Sequence, residues 1–148
     1  MKLKQLSLFL ENKPGALTRP CQLLAQAKIN IHTLSLADTQ QFGILRLVMR
    51  DWEKAKQVLE KGGCVVKVTD VVALEVPDRP GGLVEILTVL EQAKINVAYM
   101  YAFTLKNENR GVLVFRFDDP DKAIALLQTK TINVLDSVDL YERLEAGK

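Results

Sequence analysis

Two short stretches carry residue types that can grip a small zwitterion. Glu11-Asn12-Lys13-Pro14-Gly15-Ala16-Leu17 returns 66 residues later as Pro77-Asp78-Arg79-Pro80-Gly81-Gly82-Leu83, so an Asx residue, a basic residue and Pro-Gly precede an apolar helical pattern twice. Proline fixes one dihedral and glycine allows close backbone approach. The amides of Gly15, Ala16 and Leu17, and of Gly81, Gly82 and Leu83, are therefore expected at a helix N-terminus without an intrahelical acceptor. Free N–H groups and the helix dipole both favour a carboxylate there. Asn12 and Asp78 offer an acceptor for an ammonium group, so one turn could read both ends of an α-amino acid. The alternative is that Asn12 and Asp78 only fasten their own turns.

A second repeated stretch, Leu24-Ala25-Gln26-Ala27-Lys28-Ile29-Asn30-Ile31, returns as Leu90-Glu91-Gln92-Ala93-Lys94-Ile95-Asn96-Val97 at the same offset. Asn30 and Asn96 stand where the first helix of each repeat has ended and a strand begins. Either they end the helix in a left-handed conformation, or their amide side chains face a guest near the sheet edge. Nothing comparable assembles for catalysis: no nucleophile, base and orienting partner come together. His32 is the only histidine and its counterpart is Ala98. Cys21 and Cys64 form no CxxC and meet no histidine cluster, which argues against a disulfide framework or a zinc site. No cofactor is expected.

The elements that position these turns read as a duplicated module. Beyond a hairpin two residues longer in the second copy the offset becomes 68, pairing Gly43 with Gly111, Leu45 with Leu113, Ala55 with Ala123 and Leu59 with Leu127. Each copy reads β-α-β-β-α-β, with strands over residues 6–10, 30–38, 43–50 and 64–68, then 71–76, 96–105 and 111–117. Apolar residues at Leu17, Cys21 and Leu24, and at Leu83, Leu87 and Leu90, have the spacing of one buried helical face. Asp51 and Asp119 read as caps of the second helices, and Gly62-Gly63 as the end of one of them. The fold expected is α+β: two ferredoxin-like βαββαβ modules, residues 1–68 and 69–148, packed side by side with antiparallel sheets. Pro20 falls where the second copy has Ile86, so the first helix starts late, with Thr18 as its cap, or is kinked. The segment Asp136-Ser137-Val138-Asp139-Leu140-Tyr141-Glu142 reads as a strand or a short helix, with a frayed end at Ala146-Gly147-Lys148.

The same strand order occurs in RNA-recognition domains, but Val112 and Val114 stand where stacking aromatics are needed. Net charge of +2 also disfavours a polyanion partner. That charge is unevenly spread: +6 over residues 1–68 and −4 over residues 69–148. Halves of opposite sign attract each other, or these are merely solvated faces. A copper-chaperone reading lacks the paired cysteines, and an acylphosphatase reading has only Arg19 and Arg79 in its favour. Tyr99, Tyr101 and Phe103 form an aromatic stripe on one strand face, for core packing or for the apolar wall of a cleft. Trp52 is left without a role. With 48% hydrophobic and 26% charged residues, no run long enough to span a membrane and no signal-peptide pattern, a soluble cytoplasmic chain is expected.

Asp78-Arg79-Pro80-Gly81-Gly82-Leu83, the leucine-rich segment after it and Lys94-Ile95-Asn96-Val97 resemble the ACT domain, a small regulatory amino-acid-binding module. The first copy resembles it too, so the whole chain is similar to stand-alone tandem-ACT proteins. The resemblance implies that edge strands join into one sheet and that ligands bind between modules. Asn12, Gly15, Ala16, Leu17, Asn30 and Ile31, with Asp78, Gly81, Gly82, Leu83, Asn96 and Val97, would line two related clefts. It further implies a non-catalytic, allosteric regulator, expected as a homodimer, that binds a free amino acid and signals to a metabolic enzyme or regulator, with neither nucleic acid nor membrane as partner. The other reading is a regulatory subunit acting mainly through protein contacts, with ligand binding weak or lost. The second turn, with its closer match and proline-free helix, is expected to be the tighter site.

Overall fold

The computed structural model describes residues 1–38, 40–107 and 109–146, with residues 104–107 as backbone alone. The chain forms two compact units, Lys4–Thr69 and Asp70–Lys148 together with Met1–Leu3. Gly147 and Lys148, where a frayed end is expected, lie outside the described residues.

The unit Lys4–Thr69 contains β1 (Lys2–Glu11) from Lys4 onward, α1 (Thr18–Gln26), β2 (Thr33–Asp38), β3 (Phe42–Val48), α2 (Trp52–Lys61) and the first residues of β4 (Val66–Pro77). Its antiparallel pairs run from Gln5↔Val48 to Glu11↔Phe42 and from Thr33↔Val48 to Asp38↔Gly43, giving the order β2-β3-β1. Strict alternation puts Leu6 and Leu8 of β1 with Leu45 and Leu47 of β3 on one face. There they bury against Leu24 of α1 and Ala55 and Leu59 of α2, and Trp52 packs onto the same core.

In the other unit β4 is followed by α3 (Gly82–Gln92), β5 (Val97–Asn107), β6 (Arg110–Phe117), α4 (Pro120–Thr129) and α5 (Ser137–Ala146). β4 pairs β6 from Val72↔Phe115 to Pro77↔Arg110, and β5 pairs the other edge of β6. Val72, Leu74, Phe115 and Phe117 meet Ile86 and Leu90 of α3 and Ala123 and Leu127 of α4. On the opposite face lie Ala73, Glu75, Val112, Val114 and the stripe of Tyr99, Tyr101 and Phe103, since Tyr99 pairs Arg116 and Tyr101 pairs Val114. Phe103 is buried and the two tyrosines are half-buried.

Several local expectations change. The strands expected at 64–68 and 71–76 are one strand, β4, because Thr69-Asp70 supplies no Pro or Gly to break it. The strand expected from Asn30 begins at Thr33. After α4 only one bridge, Leu74↔Val134, stands where a last strand would be, and the chain continues as α5 with Leu140 and Tyr141 buried. Of the two capping aspartates, Asp119 accepts a hydrogen bond from the Lys122 amide at 3.0 Å, whereas Asp51 makes no side-chain cap. Pro20 sits in the first turn of α1, which starts at Thr18 after Leu17 as cap residue; its counterpart α3 starts two equivalent positions earlier.

Candidate functional site

The two Pro-Gly turns are built alike. The amide of Asp78 donates to the Asn109 carbonyl at 2.8 Å, and that of Asn12 to the Gln41 carbonyl at 2.9 Å, so each turn is tied to the hairpin between its unit's two following strands. Gly81 and Gly15 have φ of 85° and 86°, a left-handed conformation that glycine adopts without a Cβ clash. Gly82 has a different reason to be glycine. A Cβ there would lie 2.2 Å from the Pro77 carbonyl oxygen, so the chain can double back into α3 only without a side chain.

One amide in each turn is already used. Gly82 donates to the Arg79 carbonyl at 3.0 Å and Ala16 to the Lys13 carbonyl at 3.3 Å, which removes both from the expected set of open donors. The amides of Gly81, Leu83, Gly15 and Leu17 donate to no backbone acceptor among the described residues. Asn12 donates its Nδ2–H to the Gln40 carbonyl at 3.0 Å, a turn-fastening bond that leaves its Oδ1 as acceptor. Asp78 is exposed, and its carboxylate makes no hydrogen bond or ion pair among the described residues.

A cleft of about 400 Å³ opens at the Asp78 turn, lined by Val76, Pro77, Asp78, Arg79, Pro80, Leu83, Gly111 and Leu113. It offers an acceptor in Asp78, a guanidinium in Arg79 and an apolar wall in Leu83 and Leu113. Arg79 pairs with Glu85 at 2.6 Å, but both side chains are more than half exposed, so the pair is weakly held and open to exchange. In the other unit a cleft of about 330 Å³ adjoins Ala16 but runs past Arg19 and Pro20 to Gly63, Cys64 and Val65, and Asn12 does not line it. Burial pushes the Cys64 thiol up despite the opposing charge of Arg19, so it stays protonated at neutral pH.

Asn30, Ile31, Asn96 and Val97 lie elsewhere in their own units. Val97 pairs with Phe117 and Pro77 with Arg110, at opposite ends of β6, about 23 Å apart at about 3.3 Å per residue. Within one unit the turn and the strand start therefore share no cleft. Neither asparagine ends a helix: the left-handed residues are Lys28 and Lys94, with φ of 56° and 55°. The amides of Ile29 and Ile95 reach back to Leu24 and Leu90, the double-bonded helix stop usually occupied by glycine. Asn96 instead donates to Asp118 at 3.0 Å.

One polar cluster escaped the sequence reading. Glu75, 8% exposed on β4, accepts from Asn133 at 2.8 Å, from Arg143 of α5 and, at 3.4 Å, from Arg110. Burial alone would raise this carboxyl, but the bonds from Asn133 and Arg143 and the charges of Arg143 and Arg110 overcome it and hold it below the ordinary range. The signal was a lone acid inside the apolar run Val71-Val72-Ala73-Leu74-Glu75-Val76, with Phe9 at the equivalent place in the first copy.

Twin β-α turns with open amides, each on an α+β unit, are thus the construction the two halves of the chain share. Residues 1–144 match the family described as ACT domain pair, and the chain belongs to that family of non-catalytic regulatory proteins. The chain is 31% identical over 100 residues to the acetolactate synthase small subunit of Buchnera aphidicola subsp. Baizongia pistaciae, an alignment covering 67% of this chain and 60% of that protein. The crystal structure of protein BT0572 from Bacteroides thetaiotaomicron is similar at 40% identity and a TM-score of 0.88, covering 95% of this chain and 96% of that one. The regulatory subunit of aspartate kinase from Thermus flavus shares the fold, with 16% identity, a TM-score of 0.62 and coverage of 86% and 90%. Among the described residues no helix is long and apolar enough to cross a membrane, and no cluster of metal-ligating side chains occurs.

Proposed function

We propose that the chain binds a free amino acid at the Asp78 turn and passes its occupancy to a partner enzyme of amino-acid metabolism. The observation that carries this reading is the turn itself: an uncommitted Asp78 carboxylate beside the open Gly81 and Leu83 amides at a helix N-terminus, over a cleft of about 400 Å³. The ammonium group would meet Asp78, the carboxylate would meet the amides and Arg79, and the side chain would lie against Leu83 and Leu113. The similar small subunit of acetolactate synthase supports a partner of that kind, and a homodimer is the assembly we propose. The Asn12 turn is the weaker or silent site, because Asn12 lies outside the adjoining cleft, is held to Gln40 through Nδ2, and offers a neutral amide oxygen where Asp78 offers a carboxylate.

Thermal denaturation in the presence of each of the twenty amino acids tests this. At 100 times the dissociation constant a bound ligand adds about 2.7 kcal/mol. Asp78→Ala is expected to abolish the shift and Asn12→Ala to leave most of it; equal losses would remove the distinction between the turns. A flat response to every amino acid would favour the second reading, a regulatory subunit that works through protein contacts. That reading is supported by the position of Asn12 outside the cleft of its unit and by the similarity to an enzyme's small subunit.

A further inference from the structure

We infer that Glu75 couples the Asp78 turn to the C-terminal helix, so that the conformation of the turn sets how firmly α5 is docked. Three segments besides its own strand converge on this one carboxylate. Asn133 and Arg110 share Oε2, at 2.8 and 3.4 Å, while Arg143 of α5 holds Oε1. Arg110 pairs across the sheet with Pro77, the residue before the turn, and its neighbour Asn109 accepts the Asp78 amide at 2.8 Å. Two links therefore join the turn to Glu75 and a third joins Glu75 to α5.

The energetics favour a coupled rather than a passive cluster. A carboxylate only 8% exposed must keep its donors, because a buried charge left with too few costs more than the pair contributes. A turn held in place keeps Arg110 beside Oε2, where its charge adds to the 2.8 Å bond from Asn133 in holding the carboxylate so that Oε1 faces Arg143. Loosening the turn withdraws that charge from Oε2 and weakens the aim of Oε1 toward Arg143, the ionic tie that joins α5 to Glu75; Leu140 and Tyr141 of α5 are buried. The first copy has Phe9 and Phe42 at the positions of Glu75 and Arg110, so this device belongs to one module only. A surface helix whose docking follows a ligand turn is an element through which occupancy can reach another molecule. The coupling serves the ligand site proposed above, yet its test needs no ligand, so each can fail alone.

The test is amide hydrogen exchange of residues 137–146 in the full chain, read in wild type, Pro80→Gly, Glu75→Gln and the double variant. Pro80→Gly loosens the turn without touching α5 and is expected to speed exchange in α5 by about three-fold or more. In the Glu75→Gln background the same change is expected to have no further effect on α5. Arg143→Met, which cuts the link from the helix side, is expected to abolish the Pro80→Gly effect in the same way. Faster exchange confined to residues 78–85 after Pro80→Gly, or an undiminished effect on α5 without Glu75 or Arg143, would overturn the coupling.

Discussion

Gly82 and Lys94 illustrate how differently two backbone positions constrain a side chain. Gly82 has a neighbour where its Cβ would go, the Pro77 carbonyl oxygen at 2.2 Å, and that neighbour is backbone that cannot swing away. Gly82→Ala is therefore expected to cost about 1–3 kcal/mol in a urea unfolding titration, the range of overpacked sites. Ala16 occupies the equivalent position in the other copy, where the helix starts two residues later. Lys94 shows the opposite case, a side chain in a left-handed conformation that costs it about 1–2 kcal/mol. Lys94→Gly removes that strain at the expense of chain entropy and is expected to stabilise by about 0.5–1 kcal/mol in the same titration. Here the sequence misled, because two asparagines four residues past a helix end are better left-handed residues than the lysines two places before them. The stop is decided by the reach of Ile29 and Ile95 back to Leu24 and Leu90, and both isoleucines are also buried in their cores. An apolar residue that must enter a core outranks local propensity.

At the scale of the element, α2 and α4 test what a capping residue contributes. Both begin after an aspartate, yet only Asp119 reaches the amide three residues on. Asp119→Ala is expected to lower stability by about 1 kcal/mol and Asp51→Ala by clearly less, measured as midpoint shifts in urea. The docking of α5 has an acid signature. Glu75 is held below its ordinary value of 4.5, so it contributes stability that is full above that pH and lost as pH falls through the lower folded value. Asp136, before α5, is lowered in the same direction by the Val138 amide and then by the N-terminal ammonium of Met1. Glu75→Gln is expected to flatten the acid limb of a stability-against-pH curve. An unchanged limb would mean that Glu75 keeps the same proton affinity in both states. Helix α5 itself was not legible: its apolar residues suit a strand as well as a helix, and only the sheet face it covers decides between them.

For the molecule as a whole, the repeat carried most of what could be read. Five consecutive identities, from Gln26/Gln92 to Asn30/Asn96, and a single change of offset gave the strand order, the two turns and the family. The site was legible only as far as its backbone. Pro-Gly spacing located the amides at each turn. Which of them are spent, and that the side chain of Asn12 is tied through Nδ2 while that of Asp78 is not tied, depend on contacts with Lys13, Arg79, Gln40 and Asn109 that no spacing reveals. The twofold sequence symmetry also concealed an asymmetry in how the chain is divided. Met1–Leu3 belong to the unit formed by the later repeat: Leu3 is 1% exposed, Lys2 pairs with Asp121 at 2.9 Å and the Met1 ammonium with Asp136 at 3.3 Å. Severing the polypeptide at the repeat boundary would thus strip the downstream fragment of its own first strip of strand. A fragment of residues 69–148 is expected to melt lower alone than with a synthetic peptide of residues 1–6 added in trans. The gene can be duplicated in halves, but the protein it encodes cannot be halved along the same line.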